Sequence, residues 1–180
     1  QCQRSPTGSE QKLQAADGAP QGTLPGSEPD GRTRDVMGRI ASLRATVAVV
    51  EHNVETIIFQ SRRALEYLHP DNLPLRTATT WSLGHAYQLQ GNRAAASRAY
   101  AEVIAISKSF GPSIYTTAAT LCLGQVQETE NELHLAAGTY RGVILLSGDP
   151  PRPIACVAHL GLARIYSQWN ELDADGVPGQ

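Results

Sequence analysis

From Arg34 onward the apolar residues of this chain return at intervals of three and four, the spacing that gathers side chains on one face of an α-helix. No stretch alternates apolar and polar residues as a half-buried strand does. The pattern predicts helices over Arg34–Val50, Val54–Leu68, Leu75–Gln90, Arg93–Ser109, Ile114–Glu128, Glu132–Leu146 and Ile154–Trp169. Helix breakers separate them: Pro70 and Pro74, Gly91-Asn92, Gly111-Pro112-Ser113, and the run from Ser147 to Pro153. Asn170 reads as the opening of an eighth helix, which Gly176 and Pro178 stop early.

The helices come in pairs, and the pairs repeat. Leu83-Gly84 returns as Leu123-Gly124, Ala96 as Ala136, Tyr100 as Tyr140 and Val103-Ile104 as Val143-Ile144. The breaks inside the pairs carry Asn53, Asn92, Asn131 and Asn170, residues that suit caps and left-handed turns. A glycine beside a leucine lets a partner helix approach closely. Ala96 and Ala136 do the same from the second helix, and Tyr100 and Tyr140 then fill the space between hairpins. Leu162-Ala163 with Tyr166 echo this pattern, as do Ala45 and Ala64-Leu65. One hairpin cannot bury its apolar face alone, so stacking is obligatory. The expected fold is all-α: helical hairpins of about 39–40 residues stacked as a superhelix. The expected units are 34–69, 73–109, 112–148 and an incomplete 151–175.

Residues 1–33 hold no Ile, Val, Phe, Trp, Tyr or Met, and Gly, Pro, Ser, Gln and Asp dominate. Such a segment buries too little apolar area to offset its ordering entropy. It is expected to be a disordered leader or linker, and 176–180 a tail. Lys+Arg number 15 against Asp+Glu 17, so no global field draws nucleic acid or anionic lipid. No apolar run approaches the ~18 residues of a membrane span. Three scattered cysteines make no disulfide framework. Cys122 and Cys156 sit in apolar helical patterns and are expected to be buried thiols. No Asn-X-Ser/Thr sequon occurs, which agrees with a cytoplasmic location.

Leu83-Gly84-x2-Tyr87, followed by Ala96-x3-Tyr100, resembles the tetratricopeptide (TPR) pattern. The repeat here exceeds the usual ~34 residues, and Gln127 stands where Tyr is usual. The longer unit resembles the repeat region of the large LuxR-type regulators of the MalT kind. The segments 75–107, 141–148 and 158–175 carry that likeness, within Arg34–Asp175. The resemblance implies a right-handed α-α superhelix. It also implies a sensor array, set between a nucleotide-binding module and a helix-turn-helix, that receives an inducer or a partner protein. The ATPase and DNA-binding roles do not carry over: Lys12 and Lys108 follow Gln11 and Ser107, so neither completes a phosphate loop, and no basic recognition helix is present.

No chemistry-bearing cluster emerges. The histidines are scattered, and no H-E-x-x-H, C-x-x-C or G-x-S-x-G occurs, so no catalytic, metal or cofactor residues are expected. Glu128, Glu130 and Glu132 flank a turn and read as a solvated loop. The candidate site is a groove lined by the first helix of each hairpin. Opposite the Leu-Gly face stand Trp81, His85 and Gln88, then Gln125 and Glu128, then Arg164 and Gln168. Such a groove suits a protein or peptide helix, or a small polar inducer. The seventh helix has no hairpin partner, and its uncovered apolar residues are expected to mark either a chain that continues or a surface for self-association. The expected function is a non-enzymatic binding scaffold in a MalT-like regulator; the alternative is a stand-alone adaptor unrelated to transcription.

Overall fold

The computed structural model describes residues 30–175, so the expected leader over 1–29 and the tail over 176–180 lie outside the described residues. Among the described residues seven helices follow one another: α1 (Gly31–Val50), α2 (Val54–Tyr67), α3 (Leu73–Leu89), α4 (Arg93–Phe110), α5 (Ile114–Thr129), α6 (Leu133–Leu146) and α7 (Ile154–Asp175). No strand occurs among the described residues. Helices α1/α2, α3/α4 and α5/α6 form three hairpins, and α7 stacks on the third.

The layers are unequal. The first helices touch in sequence, α1 on α3, α3 on α5 and α5 on α7. The second helices α2, α4 and α6 touch only first helices, never one another. Hairpins that meet on one side and splay on the other build a curved array, with the first helices on its inner surface.

Three turns set the register. His52, Gly91 and Asn131 adopt the left-handed conformation at φ 54°, 73° and 61°. The following residue caps the second helix: Asn53 and Asn92 accept from the amides of Thr56 and Ala95, while Glu132 at the third cap makes no such bond. The asparagine ladder is therefore not one series. Asn131 matches Gly91 rather than Asn92, because one residue fewer separates it from the Leu-Gly pair. Asn170 forms no turn: α7 continues through it to Asp175. Glu171 and Leu172 are good helix formers, so the sequence there carries no strong stop.

Two helix starts also differ from expectation. Gly31–Thr33, assigned to the leader, form the first turn of α1, because Asp30 accepts from the Thr33 amide at 2.8 Å. Helix α3 begins at Leu73, with Pro74 in its first turn, where a missing N–H leaves no intrahelical bond unmade.

The repeated small and large residues meet as expected. Tyr100 and Tyr140 are fully buried. A Cβ at Gly84 would stand 2.8 Å from the Tyr100 ring, and one at Gly124 would stand 2.8 Å from the Tyr140 ring. The opposite edge of Tyr140 faces Gly161 of α7, again with no room for a Cβ. Burying a side chain of this size contributes about 1.5–3 kcal/mol. The absent Cβ atoms are what allow it.

Candidate functional site

On α3, Trp81 and His85 are one turn apart and stack, with ring centroids 5.6 Å apart and planes 8° from parallel. Tyr115, at the start of α5, leans on the other side of Trp81 at 5.9 Å. The three rings form a half-buried aromatic ledge across the junction of the second and third hairpins. Burial, and then the charge of His52, hold His85 below its ordinary pKa, which favours the neutral ring. Cys122 packs in the same cluster with Trp81 and Tyr100, and burial pushes its thiol pKa up.

The second feature spans the third hairpin and α7. Arg164 Nε and Nη2 donate to the two carboxylate oxygens of Glu128 at 2.7 and 2.8 Å. The Tyr140 hydroxyl donates to the same carboxylate at 2.6 Å. This bidentate pair with a third donor holds Glu128 well below the usual carboxylate range, Arg164 being the larger cause. One hairpin earlier the same geometry appears without charge: the Tyr100 hydroxyl donates to Gln88 Oε1 at 2.7 Å.

The sequence profile of the MalT-like TPR region matches residues 38–175. The chain belongs to the MalT-like TPR family. No curated protein matches the chain. No solved structure does either.

Within this MalT-like TPR array, the seven expected groove residues form two pairs rather than one row. Trp81 meets His85, and Glu128 meets Arg164. The carbonyl of Gln88 is taken up by Tyr100. Gln125 is half-buried on α5, and Gln168 is exposed near the end of α7. Glu128 corrects the solvated-loop reading, since Arg164 and Tyr140 engage it; Glu130 and Glu132 are exposed, as that reading expects. Cys156 is a second correction: it is exposed on a face of α7 that no described helix covers, and Cys122 on α5 is half-buried.

Sequence reasoning missed Tyr115, whose only signal is an aromatic at the start of a first helix. It also missed the cluster of His134, Trp169 and Tyr166, where His134 stacks on Trp169 at 4.8 Å and Tyr166 tilts against it at 5.5 Å. Arg62 and Arg141 each donate to a tyrosine hydroxyl 25 residues on, Tyr87 and Tyr166. That shared spacing was visible in the chain.

The Glu128 knot has a pH consequence. A carboxylate with a depressed folded-state pKa adds stability above its unfolded value and loses it as pH falls through the folded one. Glu128→Gln keeps an acceptor for Tyr140 but loses the charge. Because Arg164 is about half exposed, the expected cost at pH 7 is about 1 kcal/mol or less. The difference should shrink toward zero as pH falls below the ordinary Glu value of about 4.3. Urea titrations of both proteins at pH 7 and in acid check this; a gap that persists in acid assigns the loss to shape rather than charge.

Proposed function

We propose that this array is the sensor region of a LuxR-type transcriptional regulator, that it binds its ligand on the inner layer of first helices, and that it performs no chemistry. The observation that carries the reading is the aromatic ledge of Trp81, His85 and Tyr115. It bridges two hairpins, is half-exposed, and sits on a rigid stack. A half-exposed aromatic ledge suits an amphipathic helix or a small polar inducer. Glu128, Arg164, Gln125, Gln88 and Gln168 supply charged and amide groups along the same layer. The family membership supports the regulator reading, and the site of action is the cytoplasm. No helix among the described residues is long and apolar enough to cross a membrane. Helix α7 offers a second contact surface through Val157, Leu160 and Tyr166, which are 40 %, 61 % and 41 % exposed.

Trp81 and Trp169 are the two tryptophans of the chain. In a Trp169→Phe background, emission from Trp81 reports directly on the ledge. Titration with a panel of sugars, amino acids and nucleotides, and with an amphipathic helical peptide, should give a saturable change. His85→Ala should weaken that binding at least tenfold, about 1.4 kcal/mol, with helicity unchanged. A ligand that binds equally well to the His85→Ala protein places the site elsewhere. Measurable turnover of any panel member overturns the non-enzymatic reading. Reading the flanking gene sequence separates the two assignments: a downstream helix-turn-helix supports the regulator, and a gene limited to the repeats supports the stand-alone adaptor.

A further inference from the structure

Three times in this fold a first helix lies against the preceding hairpin, and each time the same register positions are covered there. Counted from the left-handed turn residues, Ile40, Leu43 and Val47 of α1 correspond to Thr79, Ser82 and Ala86 of α3. On α5 they correspond to Ala119, Cys122 and Val126. Gly161 meets Tyr140 as Cys122 packs beside Tyr100, which extends the register to Ala158, Gly161 and Ile165 of α7. On α3, α5 and α7 these positions are buried, Cys122 half so.

On α1 they are larger and open to solvent. Ile40 is 44 % exposed, Leu43 63 % and Val47 58 %. Val36 and Val50 continue the stripe at 49 % and 77 %. Positions 36, 40, 43, 47 and 50 step by four, three, four and three, the seam spacing of paired helices. The stripe is not needed inside the hairpin, because α1 buries its other face, through Gly38, Ala41, Ser42, Ala45 and Ala48. Beside the stripe, Gln60 Oε1 is buried without a donor among the described residues, and it lines the same groove.

We propose that this stripe is a helix-docking surface and that its occupant is α1 of a second copy of the chain, packed antiparallel. The stripe continues a series of helix contacts already made three times in the fold, so its occupant is a helix. Two identical stripes are self-complementary about a two-fold axis near Leu43. Charge selects the direction. Arg32, Arg34 and Arg39 accompany Asp35 in the amino half of α1, Arg44 lines the groove near the middle of the stripe, and Glu51 stands at its far end. An antiparallel copy brings the basic start over the acidic end and opposes the helix dipoles favourably. A parallel copy stacks arginine on arginine. The seam is about 21 Å long at 1.5 Å per residue.

The test is the mass of the full chain in solution. Sedimentation at concentrations up to about 100 µM, the weak range of specific association, should show the 19.3 kDa chain moving toward twice its mass. A Leu43→Arg, Val47→Glu variant should remain monomeric with unchanged helicity and melting, since both side chains are mostly exposed. Leu160→Arg on α7 should leave the dimer intact. In a Cys2→Ser, Cys156→Ser background, oxidation should cross-link Leu43→Cys to itself and not Val36→Cys. Three results overturn the proposal. The wild-type chain stays monomeric throughout the range, or the dimer survives Leu43→Arg, Val47→Glu and is lost with Leu160→Arg, or Val36→Cys cross-links as readily as Leu43→Cys.

Discussion

Replacing Tyr140 with alanine is expected to destabilise the C-terminal part of the array by about 3–5 kcal/mol, the range for removing a large buried aromatic. Its ring is fully buried between Gly124 of its own hairpin and Gly161 of α7, and both glycines are moulded to it. The two glycines have no side chain with which to fill the space it leaves, so closing it requires Leu121, Leu162 or Ile165 of the same cluster to move. The loss also removes the hydroxyl that donates to Glu128. Tyr140→Phe isolates that bond and should cost about 1–2 kcal/mol. Repeat arrays are held by contacts between neighbours, so the damage should concentrate at the α6–α7 junction. Amide exchange is the discriminating measurement: α7 amides should lose protection while those of α1 and α2 keep theirs. A loss below about 1 kcal/mol for the alanine variant would mean that the ring is not what joins α7 to the third hairpin.

Gly84→Ala should be costly alone and nearly harmless once Tyr100 is shortened. The new Cβ would stand 2.8 Å from Tyr100 Cε1, with Ala99 Cβ 3.1 Å away. A ring that is completely buried has nowhere to retreat, so the expected cost is about 1–3 kcal/mol. The first hairpin already contains the alternative solution. At the register positions of Gly84 and Tyr100 it carries Ala45 and Ser61, both fully buried. The array thus solves the same contact in two ways, with a small backbone position facing a large ring or an alanine facing a serine. A double-mutant cycle of Gly84→Ala with Tyr100→Ser should return a favourable coupling of about 1–3 kcal/mol, against the few tenths of two independent sites. The double variant itself stays less stable than wild type, since the volume of the ring is lost. Additive costs would show that the two residues do not share the space.

Much of the array was legible in the chain, because its signals are local. A helix face needs only residues within two turns, and a hairpin needs only a break between two such faces. The recurrence of Gly84 as Gly124 and of Tyr100 as Tyr140 was readable at one interval, but that each glycine faces its tyrosine came only from the structure. The candidate site was legible only in part. Trp81–His85 lies within one helix and follows from spacing. Glu128–Arg164 joins residues 36 apart. Both were named from the chain, but nothing local says that they meet.

By itself, the sequence determined the all-helical class, the three hairpins and the recurring small and large residues, since these depend on side-chain period and on where a helix can end. The tertiary structure decided three further matters: that Asn131 serves as a left-handed turn residue, that α7 runs through Asn170, and that one apolar stripe of α1 faces solvent. Each depends on whether a neighbouring helix lies against the residue in question. An asparagine becomes a turn only when a returning helix packs beyond it, and a stripe of valine and leucine becomes core only when another helix covers it.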